Sequence, residues 1–284
     1  MSDPVSILAP NPSPLTGPGT NTFVLGRHHV AVIDPGPDNA AHRAAILQAA
    51  GGRISHIFVT HAHLDHSEGA AALARETGAP ILAFGGAQEG RSATMQQLAA
   101  QGLTDGGEGL DHGFRPDLLL HDGAVIETPD WTLRAIHTPG HAANHISFAL
   151  DDMLFCGDIV LGWSTTLISP PDGDLGDYFR SLDRIAALGA ARLLPAHGPA
   201  VDSPAQRLSE LAAHRRERSA QILTALRDGG PADAAGLAAR IYDISPALLP
   251  AATRNVLAHL IALAALGAVQ PEGPISAGTH FSIR

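Results

Sequence analysis

The sequence predicts an α/β protein in which helices cover a β-sheet, followed by a small C-terminal winged-helix module. Short β-rich runs alternate with helical patterns as far as Asp202, which is typical of a sheet covered by helices. Beyond Asp202 the pattern changes to three helices and two short strands, the element order of a winged helix. We therefore expect a large domain over residues 1–202, a linker helix over 203–230 and a winged-helix domain over 231–284.

The N-terminal half is expected to open with an antiparallel meander, because Pro and Gly separate its first β-rich runs. The predicted strands are Val5–Leu8, Thr22–Leu25, Val30–Asp34, Ile54–Val59 and Pro80–Phe84, and the predicted helices are Ala40–Ala50 and Ser67–Glu76. From Gln88 to Pro116 the chain is glycine-rich, and only Met95–Gln101 has a helical pattern. Connections of this length are usually lids or disordered segments. We expect His112 and His121 to face solvent.

The second half predicts another set of strands and the helices of the C-terminal module. Strands are expected at Leu118–Ile126, Trp131–His137, Ile146–Leu150 and Met153–Cys156, and an amphipathic helix at Tyr178–Leu188. Ser203 and Pro204 begin the linker helix, which runs to about Arg227. The module then has a helix at Ala234–Tyr242, a second that starts at Ser245-Pro246, a third at Ala251–Leu266, and strands at Val269–Gln270 and His280–Ile283. Because its last helix is apolar on much of its surface, we expect that helix to pack against the large domain.

Composition and charge exclude several classes of protein. At 284 residues the chain can bury a large core, and no run approaches the roughly 18 apolar residues of a membrane span. Met1–Thr20 lacks a basic segment followed by an apolar one, so we expect no secretory signal and a cytoplasmic protein. The single cysteine, Cys156, excludes an internal disulfide and leaves any metal site to histidine and carboxylate.

The net charge of −10 is unevenly distributed. Residues 1–202 carry 10 arginines against 22 acidic residues, whereas residues 203–284 carry 8 arginines against 6. Charge alone therefore does not favour nucleic acid as a partner. All 18 basic residues are arginines, which excludes a lysine base or Schiff base.

A cluster of imidazoles and a carboxylate directly after the Ile54–Val59 strand is the strongest functional signal. His61 and His63 alternate on one side of an extended segment, and Asp65 and His66 follow in the turn, so two ligand pairs can face two adjacent ions. Three further segments carry residues that can ligate a metal, namely His141 with His145, Asp158, and His197. Ligands that are distant in sequence can therefore converge on one edge of a sheet.

The pattern His-x-His-x-Asp-His resembles the signature of the metallo-β-lactamase superfamily, which implies an αββα sandwich for the large, catalytic domain. The resemblance assigns the first metal to His61, His63 and His141, the second to Asp65, His66 and His197, and the bridging carboxylate to Asp158. Two zinc ions roughly 3.5–4 Å apart would hold a water molecule, lower its pKa and supply a bridging hydroxide as nucleophile. Asp65 would orient that hydroxide. Iron or manganese in either site is compatible with the same ligands.

A closer resemblance is to the lactamase-β-like protein 2 family, and it extends over almost the whole chain. Its features are Thr138-Pro139-Gly140-His141 with His145 four residues on, Gly157-Asp158, Pro195-Ala196-His197-Gly198-Pro199 and the C-terminal stretch from Ala247 to Ala252. True lactamases commonly carry cysteine in place of Asp158, so a dedicated β-lactamase is not expected. We expect Cys156 to be buried and inert.

Five further side chains are candidates for the site. His145 either acts on substrate, by protonating a leaving group or binding an oxygen, or orients a metal ligand. Thr166 and Tyr178 would line the pocket, with ordinary packing as the alternative. Arg215 and Arg216 on the linker helix would meet a substrate phosphate, with a solvated helix face as the alternative.

The resemblance implies a dinuclear zinc-dependent hydrolase and leaves its substrate open. Family members include a single-strand-preferring endoribonuclease, and phosphodiester cleavage suits two metals. A thioesterase or other acyl hydrolase of the glyoxalase-II-like type would direct the same nucleophile at a carbonyl. A non-catalytic zinc-binding module with a nucleic-acid-binding winged helix is disfavoured, because structural zinc sites are closed four-ligand cages. The expected partner is a small ester or thioester or single-stranded RNA, with no membrane; the oligomeric state is not predicted.

Overall fold

The computed structural model of this chain describes residues 3–104 and 109–284. Part of the glycine-rich connection predicted over 88–116, residues 105–108, therefore lies outside the described residues, as do residues 1 and 2 of the predicted large domain.

Six strands form the first sheet, in the same order in space as in the chain. They are β1 (Val5–Leu8), β2 (Asn21–Leu25), β3 (Val30–Ile33), β4 (Ile54–Phe58), β5 (Ile81–Ala83) and β6 (Leu118–Leu119). The first three strands form the predicted antiparallel meander, and β3 to β6 pair in parallel. The parallel part of the sheet therefore brings successive carboxyl ends to one edge.

Five strands form the second sheet, again ordered as in the chain. They are β7 (Val125–Glu127), β8 (Thr132–His137), β9 (Ile146–Leu150), β10 (Met153–Gly157) and β11 (Arg192–Pro195). All neighbours pair antiparallel except β10 and β11, which are parallel. β10 and β11 therefore also end at a common edge.

Within residues 3–104 and 109–284, eight α-helices accompany the sheets. They are α1 (Ala40–Ala50), α2 (Leu64–Ser67), α3 (Ala70–Thr77), α4 (Ala93–Ala100), α5 (Leu175–Leu188), α6 (Pro204–Gly229), α7 (Ala234–Ile241) and α8 (Leu249–Ala265). Side chains that accept hydrogen bonds from first-turn amides begin four of them: Asn39 at α1, Ser92 at α4, Asp174 at α5 and Asp233 at α7. Glycines in the left-handed conformation end α1 and α5, at Gly51 and Gly189.

The two sheets pack face to face between layers of helix, which confirms the predicted αββα arrangement. Between the sheets the ring centroids of Phe58 and Phe148 are 5.0 Å apart, and those of Phe23 and Phe155 are 5.1 Å apart. Strand alternation turns Ile57 to the opposite face, into the cluster that includes side chains of α1 and α3. The outer face of the second sheet packs on α5 and α6 through Leu154, Leu182 and Leu208.

The C-terminal module contains α7, α8 and a two-stranded wing, β12 (Val269–Pro271) and β13 (Phe281–Ile283). Its core joins Leu237, Leu260 and Phe281 with Ile222 of α6 and Met95 of α4. The expectation that the last helix packs against the large domain is therefore confirmed.

Two predicted elements are wrong in detail. The strand predicted at 118–126 is two strands in different sheets, because the chain leaves the first sheet after Leu120 and turns at Gly123, which has a φ of +80°. The helix predicted at 67–76 begins only at Ala70, as α3, and the short α2 before it ends at Ser67; the turn between them contains Gly69. Its amide donates to Gly36 O at 2.9 Å, and an added Cβ would lie 3.0 Å from that oxygen.

The segment Pro246–Ala265 is long and apolar enough, by length and composition, to cross a membrane. It contains polar residues such as Thr253, Arg254 and Asn255, so it is not an uninterrupted apolar run. Core helices of soluble proteins have the same properties. Val256, Leu257 and Leu260 of this segment are buried in the core of the C-terminal module. We therefore interpret it as a core helix.

Gly140 links β8 to the loop that carries His141, and only glycine fits there. Its φ is +146°, and an added Cβ would lie 2.5 Å from the Cα of Tyr178 in α5. We predict that Gly140→Ala lowers the free energy of unfolding by about 3 kcal/mol, combining backbone strain with overpacking. Urea unfolding measures the change. Gly189→Ala, which shares a positive φ but has open space around it, should cost only about 1 kcal/mol; equal costs would contradict this account.

Candidate metal centre

All seven predicted metal ligands converge where β4, β8, β10 and β11 end. Ligand atoms lie within 4.8 Å of one another in each of three groups: His61, His63 and His141; His61, His66 and Asp158; and Asp65, His66 and His197. Because His61 and His66 each belong to two groups, the three groups form one continuous cluster.

The first group is three buried imidazoles whose ring nitrogens face one another. His63 Nδ1 lies 2.9 Å from His61 Nε2 and 3.0 Å from His141 Nε2. Burial lowers the pKa of His63 to about 3 and also lowers the pKa values of His61 and His141. The rings are therefore neutral, and three converging nitrogens cannot satisfy one another with so few protons. A cation that accepts their lone pairs fits this arrangement.

The second and third groups together combine imidazoles with two carboxylates. His197 Nε2 lies 3.2 Å from both Asp65 Oδ2 and Asp158 Oδ2. Burial alone would lower the pKa of His197, but the charge of Asp158 and hydrogen bonds to both carboxylates raise it to about 10. The pKa of His66 is likewise raised well above its usual value, because the negative charges of Asp65 and Asp158 outweigh burial. Protons therefore balance the carboxylates here, and a bound divalent cation would displace them.

Two buried atoms in the second and third groups lack hydrogen-bond partners among the residues that the structure describes. His66 Nε2 lies 3.3 Å from Asp65 Oδ2 without the alignment of a hydrogen bond, and Asp158 Oδ1 has no partner. Unpaired buried polar atoms are costly, and metal coordination would satisfy both. The donor set therefore fits two divalent ions.

Contacts on the outer nitrogens fix the orientation of four ligand rings. Nδ1 of His61 lies 3.0 Å from Thr60 Oγ1, that of His66 3.0 Å from Asp34 Oδ2, that of His141 2.7 Å from Leu167 O and that of His197 3.1 Å from Gly19 O. Carbonyl oxygens only accept, so His141 and His197 carry a proton on Nδ1. Their Nε2 atoms therefore face the cluster, as metal ligation requires.

Asp34 and Thr20 support the ligands and were missed from the sequence. Asp34 is buried, has a φ of +51°, and accepts hydrogen bonds from the amide and hydroxyl of Thr60 and from His66 Nδ1. Thr20 donates its hydroxyl to Asp65 Oδ2 at 3.2 Å. The Asp34-Pro35-Gly36 turn was the only signal for the first of them; nothing local indicates the second.

His145 is a positioning residue in this structure. It is fully buried, its Nε2 accepts from the amide of Asp158 at 3.1 Å, and its Nδ1 lies 2.9 Å from Thr138 Oγ1. Both ring nitrogens are thus engaged within the protein. The arrangement supports the orienting interpretation and gives His145 no route to a leaving group.

A cavity of about 350 Å³ opens beside the cluster, and Thr166 is one of its lining residues. Tyr178, Arg215 and Arg216 are not, which corrects the expectation that they contact substrate. Tyr178 is fully buried, and Arg215 is only 1% exposed and donates to Thr166 O. Arg216 lies over the ring of Phe179, 5.4 Å from its centroid. Their positions follow from the packing of α6 on α5.

Cys156, His112 in the long connection and His121 just after it have the exposure that the sequence predicted. Cys156 is fully buried, and burial raises the pKa of its thiol. His112 and His121 are exposed.

Two family models match the chain. That of the metallo-beta-lactamase superfamily matches residues 15–197, and that of the beta-lactamase associated winged helix domain matches residues 234–275. A crystal structure of a metallo-beta-lactamase family protein from Thermus thermophilus is 26% identical and superposes with a TM-score of 0.79, covering 99% of this chain and 98% of its own. The similarity therefore includes both parts of the fold.

Curated relatives extend the comparison. A beta-lactamase-like protein 2 homolog from Caenorhabditis elegans is 32% identical over 279 residues, which cover 95% of this chain and 87% of that protein. An atrochrysone carboxyl ACP thioesterase from Paecilomyces divaricatus is 32% identical over 228 residues, which cover 78% of this chain and 64% of that protein. The second similarity thus omits about a third of the relative.

Asp158 contacts ligands of all three groups, since its Oδ2 lies 3.7 Å from His141 Nε2, 3.5 Å from His66 Nε2 and 3.2 Å from His197 Nε2. We predict that Asp158→Ala lowers the bound metal from two ions per chain to one or fewer, because its carboxylate offsets the charge of both. Elemental analysis after gel filtration measures the content. Asp152→Ala, an exposed aspartate in the β9–β10 turn, is the matched control and should keep both ions. Full metal content in Asp158→Ala would exclude the bridging role.

Proposed function

The chain belongs to the metallo-β-lactamase superfamily and carries the winged helix associated with it, and from this premise we propose that it is a dinuclear zinc enzyme that hydrolyses acyl thioesters. Metal-dependent hydrolysis follows from the family. The dinuclear centre is supported by the seven converging ligands. Zinc suits a set of imidazole and carboxylate ligands, although iron and manganese accept the same donors.

The residues that line the cavity support an acyl substrate rather than RNA. Apart from the metal ligands, the described lining residues are apolar or uncharged, and no arginine is among them. Leu15 and Leu64, which are 47% and 40% exposed, belong to this lining. Large exposed apolar side chains beside a polar centre are typical of a site for a partly apolar ligand.

Arg207 and Arg215 donate to backbone oxygens of the cavity wall but are not among its lining residues. Arg207 donates from Nε to Leu161 O at 2.9 Å and from Nη2 to Ser164 O at 2.5 Å. Glu210 lies 3.5 Å from the same guanidinium. Because single-stranded RNA is held by cations and stacking aromatics along a groove, this wall offers little to a phosphodiester backbone. The thioesterase among the relatives supports the same choice.

Asp65 is the ligand best placed to act on a reacting molecule. Two divalent ions bound here would lower the pKa of a water molecule and polarise an acyl carbonyl. The Asp65 side chain is 28% exposed to the cavity, while Thr20 holds its Oδ2. Burial would raise the pKa of Asp65, but the positive charge of His66 and the hydrogen bond from His197 keep it well below its usual range. The carboxylate therefore stays ionised and can orient a water molecule by accepting its proton in a hydrogen bond.

We predict that the metal-loaded protein hydrolyses acyl-CoA or acyl-pantetheine thioesters and does not cleave labelled single-stranded RNA. Asp65→Asn should lower kcat by about 100-fold or more, since it removes the charge and keeps the shape. Thiol release followed with a chromogenic disulfide gives the rate. RNA cleavage that Asp65→Asn abolishes, without thioester turnover, would replace this proposal with a ribonuclease.

A substitution of Leu15 tests whether the apolar lining of the cavity contacts the acyl chain. We predict that Leu15→Asp raises KM for a long-chain acyl thioester roughly tenfold, because about 1.4 kcal/mol of apolar contact corresponds to that factor. KM for the acetyl thioester should change little. Leu119→Asp, which alters another exposed leucine outside the cavity, is the control. Equal effects on both chain lengths would rule out contact between Leu15 and the acyl chain.

A further inference from the structure

We propose that Arg215 of α6 and Arg254 and Asn255 of α8 are positioning residues. They hold the active-site loop, residues 164–170, in place by hydrogen bonds and thereby orient the metal ligand His141. This proposal rests on the proposed metal-dependent hydrolase activity, and it does not depend on the substrate being an acyl thioester. The role of the winged-helix module would then be to hold the loop that orients a metal ligand.

The active-site loop connects the second sheet to α5 and has no regular secondary structure between residues 165 and 169. Ser164, Thr165, Thr166 and Leu167 nevertheless line the cavity. Leu167 O accepts the Nδ1 proton of His141 at 2.7 Å, and Thr166 Oγ1 lies 3.1 Å from the same nitrogen. The orientation of one metal ligand thus depends on a loop that lacks strand or helix hydrogen bonds of its own.

Arg215 of α6 holds the first part of this loop. Its Nη2 donates to Thr166 O, and its Nη1 donates to Asn255 Oδ1 at 3.0 Å. The side chain is 1% exposed and makes no ion pair with a described carboxylate. A buried guanidinium without a counter-charge is costly, so its hydrogen bonds to oxygen atoms are what make this position tolerable.

Two consecutive residues of α8 hold the remainder. Asn255 Oδ1 accepts from the amide of Ile168 at 3.0 Å, in addition to Arg215. Arg254 donates from Nε to Ser169 Oγ at 2.9 Å and from Nη2 to Pro170 O. The same Nη2 also donates to Thr104 O at 3.0 Å, in the long connection after α4. The C-terminal helix therefore holds two separate loops of the large domain.

These contacts form a short path from α8 to the metal centre. Asn255 binds Ile168, whose neighbour Leu167 accepts from His141. Loss of the Asn255 acceptor would leave both the Ile168 amide and Arg215 Nη1 without this partner. The loop would then have to move or admit water, and either change alters the carbonyl that fixes the His141 ring.

The test compares Asn255→Leu, which removes the acceptor at similar size, with Asn255→Asp, which keeps an acceptor oxygen. We expect Asn255→Leu to weaken metal binding, and to lower kcat rather than raise KM, by about 10- to 100-fold, the usual effect of losing a contact to a ligand ring. Asn255→Asp should retain both within about threefold of the unmodified protein. Thr253→Ala, which removes a hydrogen bond within α8, controls for loss of helix stability.

Metal affinity is measured by competition with a chelator and requires no substrate. A failure of this proposal can therefore be distinguished from a wrong choice of substrate. Acrylamide quenching adds a second such readout, because Trp163 beside the loop is exposed whereas Trp131, the other tryptophan, is buried. We expect faster quenching in folded Asn255→Leu than in Thr253→Ala. Normal metal affinity and quenching in folded Asn255→Leu would overturn the proposal, as would equal losses in Asn255→Leu and Asn255→Asp. If Asn255→Leu does not fold, Arg254→Leu takes its place against the same criteria.

Discussion

The burial of two carboxylates among imidazoles at one edge of two facing sheets is the constraint on which the site depends. Asp65 and Asp158 lie within 3.2 Å of the same histidine nitrogen, and His66 lies within reach of both. Neither group tolerates this environment as an isolated charge. Without a cation, protons held by His66 and His197 balance the carboxylates; with divalent cations bound, the same side chains become ligands. The fold therefore presents a site that is electrostatically incomplete until protons or metals occupy it.

Rigid strands and irregular loops contribute differently to this site. His61, Asp158 and His197 follow strand ends, whose positions the two sheets determine. His141 instead follows a loop, and its ring is fixed by a carbonyl of a second loop. The chain compensates for that weakness with side chains from α6 and α8, and Gly140 allows the first loop to approach α5 closely. A long-range architecture thus supports the ligand that local structure supports least.

The sequence was sufficient for the layers of the fold and for the ligand cluster because both depend on local patterns. Alternating apolar residues predicted most strands within one or two residues, and the spacing of His61 to His66 is local too. The strand expected at 118–126 failed because nothing in that run shows that its two ends belong to different sheets. Thr20 and Asn255 gave no signal, and Arg215 was assigned the wrong role, because each acts on a residue 40 or more positions away. Such contacts arise only when distant segments are packed together.

Most arginines of the C-terminal part contact other groups of the protein, which limits how many are available to bind nucleic acid. Arg215 and Arg254 bind oxygen atoms of the large domain, and Arg207 does the same at the cavity wall. Arg218 lies over the ring of Tyr242, 3.8 Å from its centroid, and Arg216 over that of Phe179. Five of the eight arginines after Ser203 are therefore engaged within the protein. Nucleic-acid affinity comes largely from cations that are available to phosphates. Four of these five arginines lie on α6 and the fifth, Arg254, lies on α8. The excess of arginine over acid in this part is therefore not by itself evidence for a polyanion-binding surface.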